Sequence, residues 1–150
     1  MKLLLDTNIL IFLSKDPTFQ LLTKIINPDN QRLYISVVSL SELKSIALQY
    51  KWGVKKWQII NSTIRNAVIV DVNENLVDTY AEIDAYSQRR NPRYADYPFA
   101  TPRNMGKNDL WIAATATLLG LKLVTTDADF NHLHQIFIEV QLIKPDLFVR

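Results

Sequence analysis

The chain has 150 residues, of which 48% are hydrophobic and 21% charged, and its formal net charge at pH 7 is +2. These values are typical of one folded domain and exclude a disordered tail or a collagen-like repeat. The absence of cysteine excludes a disulfide scaffold, a thiolate zinc site and a cysteine nucleophile, and three glycines are too few for a glycine-rich phosphate loop. No apolar run reaches the ~18 residues of a membrane span, so we expect a cytoplasmic protein with no membrane contact.

The first half of the chain alternates apolar runs with polar turns. Three leucines directly before Asp6 predict a short strand buried on both faces. Asp16 followed by proline predicts the start of a short helix. Ser39 and Glu42 have the spacing of a capping box, which predicts that a longer helix begins there. In chain order, this half is predicted to contain strands at residues 3–5, 33–38 and 67–70, and helices at residues 9–13, 17–26, 39–50 and 54–64.

The second half continues the alternation around one long loop. Apolar spacing predicts an amphipathic helix over residues 74–90, and three prolines exclude a regular helix from residues 91–106. An alanine- and leucine-rich helix is predicted to end at Gly120. Strands alternating with helices indicate an α/β fold with a mostly parallel sheet of four to five strands, and we expect one domain over residues 1–150. The elements predicted for this half are helices at residues 74–90 and 107–119 and strands at residues 121–125 and 137–143.

Four acidic residues stand out by position, although each has an ordinary structural explanation by itself. Asp6 and Asp127 follow predicted strands, where turn chemistry or helix capping explains an aspartate. Glu42 is explained as the third residue of a capping box, and Asp109 by the helix dipole, which favours an acid in the first turn.

Together, the four acids are harder to explain as structural residues. The carboxyl ends of parallel strands share one edge of the sheet, where ligand sites form, so these side chains are expected to meet there. Carboxylates brought together repel and raise one another's pKa values unless a cation compensates them. With no cysteine and no histidine cluster, oxygen ligands select Mg²⁺ or Mn²⁺, and the matching chemistry is metal-assisted phosphodiester hydrolysis.

Four segments that contain these acids follow one another along the chain: Leu-Leu-Asp-Thr-Asn at residues 4–8, Ser-Leu-Ser-Glu-Leu at 39–43, Asn-Asp-Leu-Trp-Ile-Ala-Ala at 108–114, and Thr-Thr-Asp-Ala-Asp-Phe at 125–130. In these segments and their order, the chain resembles PIN-domain proteins, and among them the VapC-type toxin ribonucleases of toxin–antitoxin pairs.

This resemblance implies a three-layer α/β/α sandwich and a metal-dependent endoribonuclease. It further implies an RNA substrate, a neutralising antitoxin protein and a homodimer. The residues to which the resemblance assigns roles are the catalytic and metal-binding acids Asp6, Glu42, Asp109 and Asp127, the polar supports Asn8 and Thr126, and Asp129 as a further acid.

Residues 89–107 form a segment longer than its counterpart in the family. Five basic residues and three aromatic ones stand there against one acid, a composition suited to phosphates and unstacked bases of single-stranded RNA. A solvated loop with its aromatic rings folded onto the surface explains the segment equally well, and contact with a partner protein is a third interpretation. The candidate RNA-binding residues are Arg89, Arg90, Arg93, Arg103 and Lys107.

The two histidines of the chain give weaker functional evidence than the four acids. His132 and His134 would face one side of a strand, but without a third ligand they are interpreted as two surface histidines and receive no role. Two functions compete with the nuclease hypothesis. One is a catalytically silent PIN-fold module that binds RNA or protein. The other is a phosphohydrolase with an aspartyl nucleophile at Asp6, although Asn8 stands where such enzymes carry a second aspartate.

Overall fold

A computed structural model describes residues 1–148, so the last two residues of the predicted domain lie outside the described part. Its centre is a sheet of five strands in which all neighbouring pairs within the described residues are parallel. The prediction of an α/β fold with four to five mostly parallel strands is confirmed. The strands are β1 (Leu3–Leu5), β2 (Leu33–Ser36), β3 (Val68–Val70), β4 (Lys122–Thr125) and β5 (Glu139–Leu142), and their order across the sheet is β3-β2-β1-β4-β5.

The strand order reverses its direction of growth between β1 and β4. In open parallel sheets, such a reversal leaves a crevice outside the carboxyl ends of the two central strands. Leu5 at the end of β1 pairs with Val124 of β4. This register brings Asp6, the first residue after β1, next to Thr125, the last residue of β4.

Helices cover both faces of the sheet, which confirms the three-layer α/β/α arrangement. Successive side chains of β1 point to opposite faces, so Leu4 belongs to one hydrophobic core and Leu3 and Leu5 to the other. The core around Leu4 is formed mainly with α4 and α5, and the other core with α1, α2 and α3. The helices are α1 (Thr7–Leu13), α2 (Val37–Gln49), α3 (Val54–Arg65), α4 (Val77–Ser87) and α5 (Lys107–Leu119).

Helix α5 is the buried helix that the sequence predicts. Ile112, Ala113 and Ala114 are fully buried because the helix is covered on several sides. Gly120 ends it in the left-handed conformation with φ 65°, which glycine adopts without a steric penalty. None of the helices in the described part of the chain combines the length and apolar composition needed to cross a bilayer.

The predicted capping box at Ser39 is wrong, because α2 begins earlier. Ser36, directly at the end of β2, is the N-cap, and its Oγ accepts a hydrogen bond from Val38 N at 3.1 Å. Ser39 therefore lies inside the helix, buried, with no partner for its Oγ among the described residues. Glu42 lies in the second turn rather than at the capping position, so its carboxylate is free for other contacts.

The short helix predicted for residues 17–26 also begins later than expected. The carboxylate of Asp16 accepts hydrogen bonds from the backbone N–H groups of Thr18 and Leu21, which shapes a turn around Pro17. Regular structure starts only after that turn, as a π-helical segment over Leu21–Ile26. The Asp-Pro pattern at residues 16–17 therefore marks a local turn that precedes the helix, and not the start of the helix itself.

Candidate active site

Asp6 is the most enclosed acid of the crevice, with 5% of its surface exposed. It is the N-cap of α1, and its Oδ1 accepts a hydrogen bond from Thr7 N at 2.8 Å. Its Oδ2 accepts from Thr125 Oγ1 at 2.7 Å. Burial raises the pKa of Asp6; the two hydrogen bonds act in the opposite direction, and the nearby Glu42 and Asp127 charges add to the rise.

Glu42 reaches the same region from α2. Its Oε1 accepts a hydrogen bond from Thr7 Oγ1 at 2.7 Å, although 35 residues separate the two in the chain. Thr7 therefore contacts two acids, since its backbone N–H is donated to Asp6. The hydroxyl and the N–H of this one threonine orient both carboxylates. The capping-box interpretation of Glu42 does not account for this contact between Glu42 and Thr7.

Asp127 lies on the other side of Asp6. Its backbone N–H donates to Thr125 Oγ1 at 3.0 Å, and the same hydroxyl donates to Asp6. Its Oδ1 accepts a hydrogen bond from Asp129 N at 2.9 Å, so Asp127 also caps the 3₁₀ segment Ala128–Leu133. Thr125 is thus the hydrogen-bonded link between the ends of β1 and β4.

Asp109 faces these acids from the first turn of α5. Burial contributes most to raising its pKa to about 7 from 3.8, and repulsion by Asp6 contributes next, followed by Asp127, Glu42 and Asp129. Burial and repulsion both disfavour the charged form of this carboxyl. The described structure therefore brings Asp109 within electrostatic range of the other three predicted catalytic acids.

We call Asp6, Glu42, Asp109 and Asp127 the carboxylate cluster. Within residues 1–148, no three acidic or imidazole side chains lie close enough together to hold a metal ion. The donor chemistry nevertheless fits a hard divalent cation, because two of the acids have raised pKa values that a positive charge would relieve.

The polar supports differ by one position from those that the resemblance implied. The side chains of Asn8 and Thr126 make no hydrogen bond to the carboxylate cluster within the described residues, and Asn8 is exposed. Thr7 and Thr125 make those bonds instead. A signal for both was present in the sequence, since each adjoins a predicted residue, but choosing between neighbouring positions required the register of β1 against β4.

Asp129 is exposed and contacts Asp127 through its backbone N–H. Its carboxylate adds to the negative field at Asp109, with the smallest effect of the four acids that act there. The described geometry therefore places Asp129 at the rim of the carboxylate cluster.

The long loop occupies residues 88–106, between α4 and α5, and its three aromatic residues pack onto the protein. Phe99 is buried, and the rings of Tyr94, Tyr97 and Phe99 lie 4.7, 5.3 and 5.5 Å from the buried ring of Tyr86. Because these rings are engaged with the hydrophobic core, the interpretation with the aromatics folded onto the protein is the one the geometry favours.

The basic residues of the predicted RNA-binding set differ in their surroundings. Arg93 forms an ion pair with Glu82, with its Nε 3.5 Å from Oε1. Arg90 and Lys107 are exposed and form no ion pair within residues 1–148. Lys107 is the first residue of α5, two positions before Asp109.

Arg89 and Arg103 are held against aromatic faces of the same loop. The Arg89 guanidinium lies 5.5 Å from the ring centroid of Tyr97, and that of Arg103 lies 5.7 Å from that of Phe99. Such stacking orients a guanidinium without neutralising it, so its N–H groups stay able to donate to an anion. Neither arginine forms an ion pair in the described part of the chain.

Comparisons with known proteins agree with this architecture. The solved VapBC2 complex from Rickettsia felis, bound to a DNA fragment from its promoter, is similar to this chain with a TM-score of 0.72 and 20% identity, covering 96% of this chain and 100% of that chain. VapBC-1 from nontypeable Haemophilus influenzae gives a TM-score of 0.69 and 24% identity, with 95% and 98% covered. VapBC-5 from Mycobacterium tuberculosis, a member of the VapBC family of toxin–antitoxin systems, gives 0.59 and 21%, with 95% and 98% covered.

At these identities the similarity establishes a common fold. The comparison with curated proteins gave no match. The family model of the PIN domain matches residues 3–135, which span the strands β1 to β4 and all four acids of the carboxylate cluster. The chain therefore belongs to the PIN domain family.

Proposed function

We propose that this protein is a metal-dependent endoribonuclease that hydrolyses RNA phosphodiester bonds, acts as a single domain and serves as the toxin of a toxin–antitoxin pair. The observation that carries the proposal is that Asp109 lies close enough to three acids from other parts of the chain for their charges to raise its pKa. A structural role explains each acid alone. It does not explain why the fold accepts their mutual repulsion.

The residues that would hold Mg²⁺ or Mn²⁺ are those of the carboxylate cluster. When bound, such an ion supplies a water of lowered pKa and compensates the charge on the reacting phosphate. Thr125 and Thr7 hold the carboxylates of Asp6 and Glu42 in fixed orientations, which limits the freedom lost on loading the site. The other two acids of the cluster come from different elements: Asp109 from the first turn of α5, and Asp127 from the turn after β4.

The RNA substrate would be bound by cations beside the cluster. Lys107 stands two residues before Asp109 in the sequence, and Arg89 and Arg103 present oriented guanidinium groups on the 88–106 loop. Arg90 is exposed on the same loop, whereas Arg93 is paired with Glu82 and contributes least. Phosphate contacts by such groups are independent of sequence and weaken as salt is raised.

The proposed partners follow from the solved relatives. Two of them are VapBC complexes, and a third is named as a member of a toxin–antitoxin family. We propose that this chain likewise binds a cognate antitoxin protein and forms a homodimer. Light scattering of the chain alone and with the product of the adjacent gene measures both properties.

The test of the nuclease proposal is cleavage of a labelled single-stranded RNA by the purified protein. We expect cleavage with Mn²⁺ or Mg²⁺, none with EDTA, and at least about a 100-fold loss in Asp109→Asn. Asp78→Asn is a matched control, because Asp78 also lies in the first turn of a helix but is exposed and away from the cluster. Equal cleavage by the parent and Asp109→Asn would refute the assignment.

A second candidate is a catalytically silent PIN module that binds RNA or protein. It is favoured by one observation, namely that the acids of the described chain do not form a closed ligand set. If the parent protein binds RNA with the same affinity in Mn²⁺ and in EDTA, and does not cleave it in either, this candidate replaces the first.

A further inference from the structure

His132 is not the surface residue that the sequence predicted. It lies in the 3₁₀ segment Ala128–Leu133 and is half-buried. Its Nε2 is 2.8 Å from Ser87 Oγ. The imidazole therefore connects the end of α4 to the segment that follows the catalytic-site strand β4.

The Ser87 hydroxyl has two neighbours. Its Oγ lies 2.8 Å from His132 Nε2 and 3.5 Å from Sδ of Met105, a residue of the 88–106 loop. Burial and the nearby Arg103 charge lower the pKa of His132, which agrees with a neutral ring.

Ser87 closes the base of the 88–106 loop. It is fully buried, and its carbonyl accepts a hydrogen bond from Arg103 N at 2.7 Å, from the far end of the loop. Gln88 and Asn104 join the same two ends through their side chains at 2.9 Å. Both ends of the loop therefore meet at Ser87, the serine that His132 contacts.

His132 also contacts the loop through an aromatic ring. The ring of Phe99 meets it edge-to-face, with centroids 5.4 Å apart. The opposite partner of Phe99 is the guanidinium of Arg103, so His132, Phe99 and Arg103 form one continuous packed group. The imidazole and the guanidinium therefore both pack against the ring of Phe99.

We propose that His132 is a positioning residue of the proposed nuclease, which holds the 88–106 loop so that Arg103 meets an RNA phosphate at a fixed distance from the carboxylate cluster. This inference rests on the proposed function. Asp127 is the N-cap of the 3₁₀ segment that contains His132, so one short segment connects the carboxylate cluster to the base of the loop.

The first experiment measures the loop and does not depend on nuclease activity. Trypsin cuts after exposed arginines, and Arg90 and Arg93 lie in the loop. We expect His132→Ala and Ser87→Ala to speed cutting there at least about tenfold, since local opening governs the rate. His134→Ala is the matched control: it removes a neighbouring imidazole that accepts a hydrogen bond from Val140 N and does not contact the loop.

The second experiment measures kinetics on single-stranded RNA. We expect His132→Ala to raise KM about tenfold while kcat changes less than about twofold, because a substrate contact is misplaced and the reacting groups are not. His132→Gln, which retains a hydrogen-bonding group toward Ser87, should recover most of the loss. In an Arg103→Gln background, His132→Ala should have no further effect on KM.

Several outcomes would overturn the proposal. One is a fall in kcat with KM unchanged; another is a KM effect that adds fully to that of Arg103→Gln, since both indicate a general structural role. Should His132→Ala fail to fold, Ser87→Ala, which removes only a hydroxyl, is judged by the same criteria. Failure of the nuclease proposal is separate, because it shows as absence of cleavage in the parent, and unchanged trypsin cutting then rejects the loop attachment by itself.

Discussion

Replacing Asp109 by asparagine should stabilise the metal-free protein at alkaline pH, although it is expected to abolish catalysis. The pKa of this carboxyl is raised to about 7 in the folded chain, so folding opposes its ionisation. The stability associated with a raised pKa is fully present below the unfolded value of 3.8 and is lost as the pH rises through about 7. Asparagine has a similar shape and no charge, so the variant escapes this loss.

The magnitude follows from the two pKa values. A change from 3.8 to about 7 corresponds to about 4 kcal/mol at roughly 1.4 kcal/mol for each tenfold change in the ionisation equilibrium. Asp109 is only half-buried, so solvent screens part of this energy and we expect about 1–2 kcal/mol. Burial also raises the pKa of Asp6, so its ionisation likewise lowers the stability of the folded protein as the pH rises.

The assay is urea unfolding in EDTA at pH 4 and pH 8. The difference in unfolding free energy between Asp109→Asn and the parent should be near zero at pH 4 and about 1–2 kcal/mol in favour of the variant at pH 8. Asp78→Asn is the control, because Asp78 is exposed on the first turn of α4 and its replacement should give a difference that does not change between the two pH values.

Adding Mn²⁺ at pH 8 should reverse the order of stability. A ligand that binds only the folded state stabilises by about 2.7 kcal/mol at 100 times its Kd, and the parent retains all four candidate ligands. Parallel pH profiles for the parent and Asp109→Asn would show that neither burial nor repulsion raises the pKa of Asp109 in the folded protein. The electrostatic reasoning about the carboxylate cluster would then fail.

Three further predictions test individual contacts. Thr125→Val removes the donor to Asp6 Oδ2 and should lower the unfolding free energy by about 1–3 kcal/mol at pH 8 and by less at pH 4, because the raised pKa of Asp6 leaves less of the charged acceptor at low pH; equal losses at both pH values would contradict this. Ser36→Ala should cost about 1 kcal/mol in urea unfolding, whereas Ser39→Ala should cost little, since only the former hydroxyl caps α2; the reverse ranking would return the cap to Ser39. Gly120→Ala should lower Tm by about 2–4 °C because its φ of 65° strains a side chain, and an unchanged Tm would refute that reason.

Local patterns were sufficient for most of the secondary structure. Helix α5 has its predicted bounds, from Lys107 to Leu119, because its composition and Gly120 are both read within one segment. The start of α2 was misplaced because two serines, Ser36 and Ser39, are both capable caps. The end of β2 decides between them, and strand ends depend on pairing with neighbouring strands.

The candidate site divides in the same way. The sequence alone named the four acids, because each stands at a predicted strand end or helix start, and it identified the long basic loop. It did not show where the loop aromatics point, since Tyr94 and Phe99 are compatible with stacking on bases or with packing on Tyr86. Only the tertiary structure places those rings in the core and leaves the arginines outside.

Residue types and their short-range spacing determined the fold class, the parallel sheet and the candidate acids, because hydrophobic periodicity and capping act over a few positions. The strand order and register decided what those acids touch. The pairing of Leu5 with Val124 lets Thr125 donate to Asp6 across 119 positions of sequence, and the turn after β4 brings His132 to Ser87. Such contacts arise from the packing of whole elements, because the energy that selects them is shared across the sheet and both cores.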